Sequence, residues 1–134
     1  LIVAGGQVLA NGTNNGSPWQ VGIRTPDDDT DEFDFVLQAE NTCISTSADY
    51  EKFFEVDGVR YHHIIDPRTG YPARGMRSVT VVTPNATFAD ALSTALFVMG
   101  PEKAIELVES LHDVEALIFN NDGSVVQRSG MQVE

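Results

Sequence analysis

Short apolar runs, each of strand length and closed off by turn-forming residues, set the strongest limit on what this chain can fold into. Gly5-Gly6, the stretch Asn11 to Pro18, Asp57-Gly58, the stretch Asp66 to Pro72 and Asn121-Asp122-Gly123 are the clearest breaks. Between them, residues 1–4 and 7–10, Trp19 to Ile23, Phe33 to Ala39, Tyr61 to Ile65, Ser78 to Thr83, Glu115 to Asn120 and Ser124 to Gln127 read as strands. Pro26 to Glu32 is acidic and reads as an exposed hairpin connection, and Asn41 to Ser47 as a polar, hydroxyl-rich loop. Asp49 to Phe54 reads as a short helix or turn.

Two segments break the strand rhythm. Phe88, Leu92, Leu96 and Met99 recur at helical spacing behind Thr87, a candidate cap, and Gly100 closes that helix. Pro101 suits the first turn of a second helix carrying Ile105, Leu107, Val108 and Leu111. The expected fold is therefore α/β (α+β): a mixed, largely antiparallel sheet with two to three packed helices. At 134 residues this is one domain, without repeat or internal linker. The opening Leu1-Ile2-Val3-Ala4-Gly5-Gly6 lacks an initiator Met and reads as the inside of a strand. The expectation is a C-terminal portion whose upstream part is missing.

Charge narrows the partners. A formal net charge of -12 repels phosphate backbones, so nucleic acid is not an expected partner. An anionic substrate needs local neutralisation by a metal, by backbone N–H groups or by one of the 8 basic side chains. Cys43 is the only cysteine, which excludes an internal disulfide and a cysteine metal cluster.

Reactive groups concentrate in the string Tyr61 to Gly70, where a strand runs into a loop stiffened by Pro67 and Pro72. His62 and His63 are neighbours, so in a strand they point to opposite faces and one of them faces a site. An imidazole titrates near neutral pH and can act as a general base. The plainer reading makes both histidines strand residues and Asp66 a loop cap. Asp90 and Thr94 lie four apart on the first helix and share a face, a hard-oxygen pair suited to Mg²⁺. An Asp in an early helical turn is also favourable simply because it meets free N–H groups. Ser45, Thr46 and Ser47, with Asp49, offer hydroxyls for a sugar or phosphate, and Arg68 a guanidinium for an anion.

With these residues in view, the chain resembles the ApbE family, the FAD:protein FMN transferases. The resemblance rests on Gly16-Ser17-Pro18-Trp19, on Ile44 to Ser47, on His63-Ile64-Ile65-Asp66-Pro67-Arg68-Thr69-Gly70 and on Ala89-Asp90-Ala91-Leu92-Ser93-Thr94-Ala95. It implies a T-fold-like domain and Mg²⁺-dependent transfer of FMN from FAD to a threonine or serine hydroxyl of an acceptor flavoprotein, with AMP released. It also implies that Asp90 and Thr94 bind the metal, that His63 is the catalytic histidine, and that Ile64 contacts FAD. Ser45, Thr46, Ser47, Asp66 and Thr69 fall on the same flavin-contacting stretches. The remaining flavin contacts would come from the missing upstream portion, and the parent would be an extracytoplasmic protein anchored by lipid. Members of the family usually carry glycine where this chain has Ala48. Hydrolysis of FAD to FMN and AMP, a flavin carrier without turnover, and a structural domain with no ligand are the competing readings.

Overall fold

A computed structural model of the chain describes residues 1–26, 33, 35–129 and 131. A six-stranded sheet carries the fold, in the order β1 (Ile2–Ala4), β2 (Gln7–Ala10), β5 (Thr42–Ala48), β10 (Met76–Thr83), β11 (Glu115–Asn120) and β12 (Val125–Gln127). Each described pairing is antiparallel, in keeping with the largely antiparallel sheet expected. Three hairpins stand apart from it. They are β3 (Trp19–Ile23) with β4 (Phe35–Ala39), β6 (Phe53–Val56) with β7 (Val59–His62), and β8 (Ile65–Asp66) with β9 (Tyr71–Pro72).

Side-chain alternation splits the sheet into two cores. Cys43, Val79, Val81, Ala116 and Ile118 face one way, against Ala89, Leu92, Leu96 and Phe97 of α1 (Ala86–Met99) and Ala104 and Val108 of α2 (Pro101–Ser110). Ala10, Ile44, Leu117 and Phe119 face the other way, against Ile23, Leu37 and Ala39 of the β3–β4 hairpin. Helices, sheet and hairpin thus form three layers.

The largest departure from the sequence reading is β5. Its polar run, Thr42 to Ser47, is not a loop but a strand held between β2 and β10. Composition is misleading here because the hydroxyls find partners on both faces of the sheet. Asp49 to Lys52 is a turn, not a helix, and β6 follows it. The strand read over Tyr61 to Ile65 breaks at His63, so β7 ends at His62 and β8 begins at Ile65.

Helix α1 starts earlier than expected. Asn85, not Thr87, is its cap: the Asn85 side chain accepts from the Phe88 N–H at 2.9 Å. Gly100 closes α1 at φ 85°, and Pro101 opens α2 directly behind it. The Pro26 to Glu32 connection lies mostly outside the described residues, as does Asp34 next to β4.

Candidate functional site

The early start of α1 changes how Asp90 reads. With Ala86 first, Asp90 lies in the second turn, beyond the free N–H groups, and the first turn carries no acidic residue. Helix-end electrostatics therefore do not account for it. Its carboxylate is exposed, and among the described residues it takes part in no hydrogen bond or ion pair. Thr94 lies one turn further along the same face.

Alternation in β5 turns Ser45 and Ser47 toward α1, on the side of Cys43, and Thr46 toward the opposite side. There Thr46 Oγ1 meets Thr80 Oγ1 at 2.8 Å, the residue paired with it in register. On the helix side, Ser47 Oγ lies 2.9 Å from Ser93 Oγ and 3.2 Å from Thr94 Oγ1. Ser93 Oγ donates to the Asp90 carbonyl at 3.0 Å, and Ser45 Oγ is 3.4 Å from Ser93 Oγ. The polar strip on the inner side of α1 is thus a hydroxyl network tying the helix to β5.

The two histidines separate, with His62 at the end of β7 and His63 just past it, and each has a defined task. His62 is buried, packs edge-on against Phe97, and hydrogen-bonds through Nε2 to the Ala73 carbonyl at 2.9 Å. The Ile64 N–H donates to its Nδ1 at 3.3 Å. A carbonyl only accepts and a backbone N–H only donates, so the ring is the neutral tautomer with its proton on Nε2. Burial pushes its pKa below the ordinary histidine value, against the opposing pull of the Ala73 carbonyl.

His63 is exposed and follows the last residue of β7. Its N–H donates to the Lys52 carbonyl at 3.1 Å, and its ring Nδ1 lies 3.3 Å from the same oxygen. By the same donor logic Nδ1 carries a proton, and Nε2 has no partner among the described residues.

His63, Ile64, Ile65, Asp90, Thr94, Thr46, Ser47 and Ala48 line one open cleft of about 680 Å³. Of the residues singled out in the sequence, Ser45, Asp49, His62, Asp66, Arg68 and Thr69 do not line it. Ser45 is buried behind Ser47, next to Ser93. Asp66 accepts from the Arg68 N–H at 2.9 Å and holds the Arg68 guanidinium, which keeps its carboxyl below the usual carboxylate range. The Thr69 and Gly70 N–H groups close on the Asp66 carbonyl, and the Tyr71 N–H donates to Thr69 Oγ1. Asp66 and Thr69 therefore shape the loop, and Arg68 is engaged by Asp66 and by the Val98 carbonyl. Asp49 is likewise taken up, paired with Arg60 at 3.3 Å and Arg77 at 3.1 Å.

Ala48 has no left-handed backbone, so the strand does not require a glycine there. Sequence reading missed several residues that also line the cleft, chiefly the Gly5-Gly6 turn, Arg24, Tyr50 and Lys52. Gly5-Gly6 carried a turn signal, and positive φ at both positions (57° and 85°) fits a two-residue hairpin turn. Nothing local marks Arg24, because its place depends on how the β3–β4 hairpin packs across the sheet.

A carboxylate and a hydroxyl on one helical face, a histidine with a free ring nitrogen and an apolar wall at Ile64 define a cleft able to hold a metal-bound phosphate ester. Comparison with known proteins gives the family: the sequence model of the ApbE family matches residues 1–118, and this chain belongs to that family. It is 40% identical over 141 residues to the FAD:protein FMN transferase of Treponema pallidum, covering 98% of this chain and 39% of that protein. It is 44% identical over 110 residues to the Escherichia coli K12 protein of the same name, covering 81% of this chain and 31% of that one. The crystal structure of the ApbE protein from Thermotoga maritima superposes with a TM-score of 0.80 at 42% identity, over 88% of this chain and 38% of that one. The flavin transferase ApbE from Vibrio cholerae gives 0.76 at 34% identity, over 94% and 41%. The chain thus spans about two-fifths or less of the length of these relatives.

The donor set fits a magnesium ion on its chemistry. Asp90 and Thr94 supply hard oxygens, and Asp90 has no competing partner among the described residues. No cluster of three or more His, Cys, Asp or Glu side chains gathers among the described residues.

Proposed function

We propose that the protein containing this chain transfers FMN from FAD to a threonine or serine hydroxyl of an acceptor protein, with Mg²⁺ held at Asp90 and Thr94. The observation that carries this reading is the convergence of His63, Asp90 and Thr94 on one cleft from a loop and a helix far apart in sequence. FAD would lie along Ile64 with its diphosphate toward α1. Arg24 and Lys52, which line the same cleft, offset the anionic charge on a chain that is otherwise strongly acidic.

His63 Nε2 takes the proton from the acceptor hydroxyl, while Lys52 holds the other ring nitrogen. The acceptor oxygen forms a bond to the FMN phosphorus. The bond from that phosphorus to the bridging oxygen breaks, and AMP leaves with the electron pair. A magnesium ion, when bound, supplies charge neutralisation on the diphosphate. The rest of the site, the acceptor's identity and an extracytoplasmic, lipid-anchored setting belong to the longer protein and form part of the same proposal.

FAD turnover by the full-length protein and its Asp90→Ala variant, with and without Mg²⁺ and an acceptor peptide bearing a reactive threonine, tests this. AMP release with covalent flavin on the peptide, lost in the variant, is the expected result. AMP with free FMN alone would make the protein a hydrolase, and bound FAD without AMP would make it a carrier.

A further inference from the structure

The hydroxyls behind Thr94 have one arrangement that uses the shorter distances, and it is directional. Ser93 Oγ has a single proton, and its 3.0 Å contact with the Asp90 carbonyl consumes it, since a carbonyl only accepts. Ser47 Oγ, at 2.9 Å, must then donate to Ser93. That leaves Ser47 as an acceptor toward Thr94 Oγ1 at 3.2 Å. The reverse order would send the Thr94 proton to the Asp90 carbonyl at 3.5 Å, the longest contact of the set, and would leave the shorter Ser93 contact unused.

In the favoured order both lone pairs of Thr94 Oγ1 are free, and Thr94 lines the cleft. In the reverse order Ser47 donates to Thr94 and takes one of them. The chain also ends on the backbone oxygen of Asp90, so it couples the positions of the two cation-binding residues.

We infer that Ser47 and Ser93 are positioning residues: a one-way hydroxyl relay, Thr94 to Ser47 to Ser93 to the Asp90 carbonyl, that turns the Thr94 oxygen into an unobstructed ligand for a divalent cation. This rests on the metal-binding reading of Asp90 and Thr94 and deepens it. A cation at Thr94 Oγ1 draws electron density from its O–H, which strengthens donation to Ser47 and locks the relay in this direction. Ser47 comes from β5 and Ser93 from α1, so the relay also fixes the helix against the strand at the height of the cleft.

The test is binding of Mn²⁺ alone, followed by electron paramagnetic resonance, in the full-length protein, with thermal unfolding as a check on folding. Ser47→Ala should weaken Mn²⁺ binding about tenfold, as loss of a partner behind a metal ligand commonly does. Ser47→Thr keeps the hydroxyl and should bind within about twofold of the parent. Thr94→Val removes the ligand oxygen, and in that background Ser47→Ala should have no further effect. That non-additivity is what a merely structural serine would not produce. An equal loss in both backgrounds, or a Ser47→Ala protein that binds like the parent while Asp90→Ala does not, overturns the relay and leaves the metal site standing. A parent protein that binds no Mn²⁺ overturns the metal reading and the relay together.

Discussion

His62 and His63 show how much adjacent residues of one type can differ in role. His63 carries the proposed base, so His63→Ala should lower FAD turnover by about 10²–10⁴-fold, the range for a lost general base, with thermal stability little changed because the side chain is exposed. His62 predicts a pH effect on stability instead. Its folded pKa is lowered, so the unfolded chain takes up a proton more readily than the folded one. The stability it contributes is complete above the unfolded value of about 6.5 and is lost as pH falls through that value toward the folded one. The melting temperature should therefore drop between about pH 7.5 and 5.5, and His62→Gln should flatten that dependence. An unchanged slope would show that protons are taken up elsewhere. At this scale the sequence was partly legible. Strand alternation says that one histidine faces inward, but which one depends on Ala73 and Phe97, whose nearness is a product of folding.

Among the elements, α1 joins core to cleft. Leu96 is fully buried between the helix and the sheet, and Leu96→Ala should cost about 2–5 kcal/mol in chemical denaturation, as large-to-small core changes do. The helices, the hairpin turns and the strands Trp19–Ile23 and Glu115–Asn120 could be read from periodicity and turn residues, because local chemistry decides them. Strand β5 could not. Serine and threonine serve a loop or a strand equally well, and only the register with β10 shows that Thr46 meets Thr80 while Ser45 and Ser47 meet α1. Asn85 displaced Thr87 as cap for a related reason. Both are capping residues, and the amide is the stronger cap.

Across the whole molecule, the cleft depends on how the β6–β7 hairpin is fastened to the main sheet. Asp49 is the fastening: it follows β5 directly and holds Arg60 on β7 and Arg77 on β10. Asp49→Asn should cost about 1.5–3 kcal/mol, the range for hydrogen bonds to charged groups. Hydrogen exchange should rise at residues 53–62 and stay unchanged in β10 and β11. A uniform rise would mean that the fold melts as one unit. Gly5-Gly6, which also lines the cleft, is constrained in a different way. A Cβ built at either glycine would meet no atom within 4 Å, yet both residues have left-handed backbone. Their constraint is therefore one of handedness and not of space. A D-alanine introduced by chemical synthesis should settle there without strain and stiffen the turn, whereas its L enantiomer, the same in size, should cost about 1–2 kcal/mol. That turn distinguishes mirror images more sharply than it distinguishes volumes.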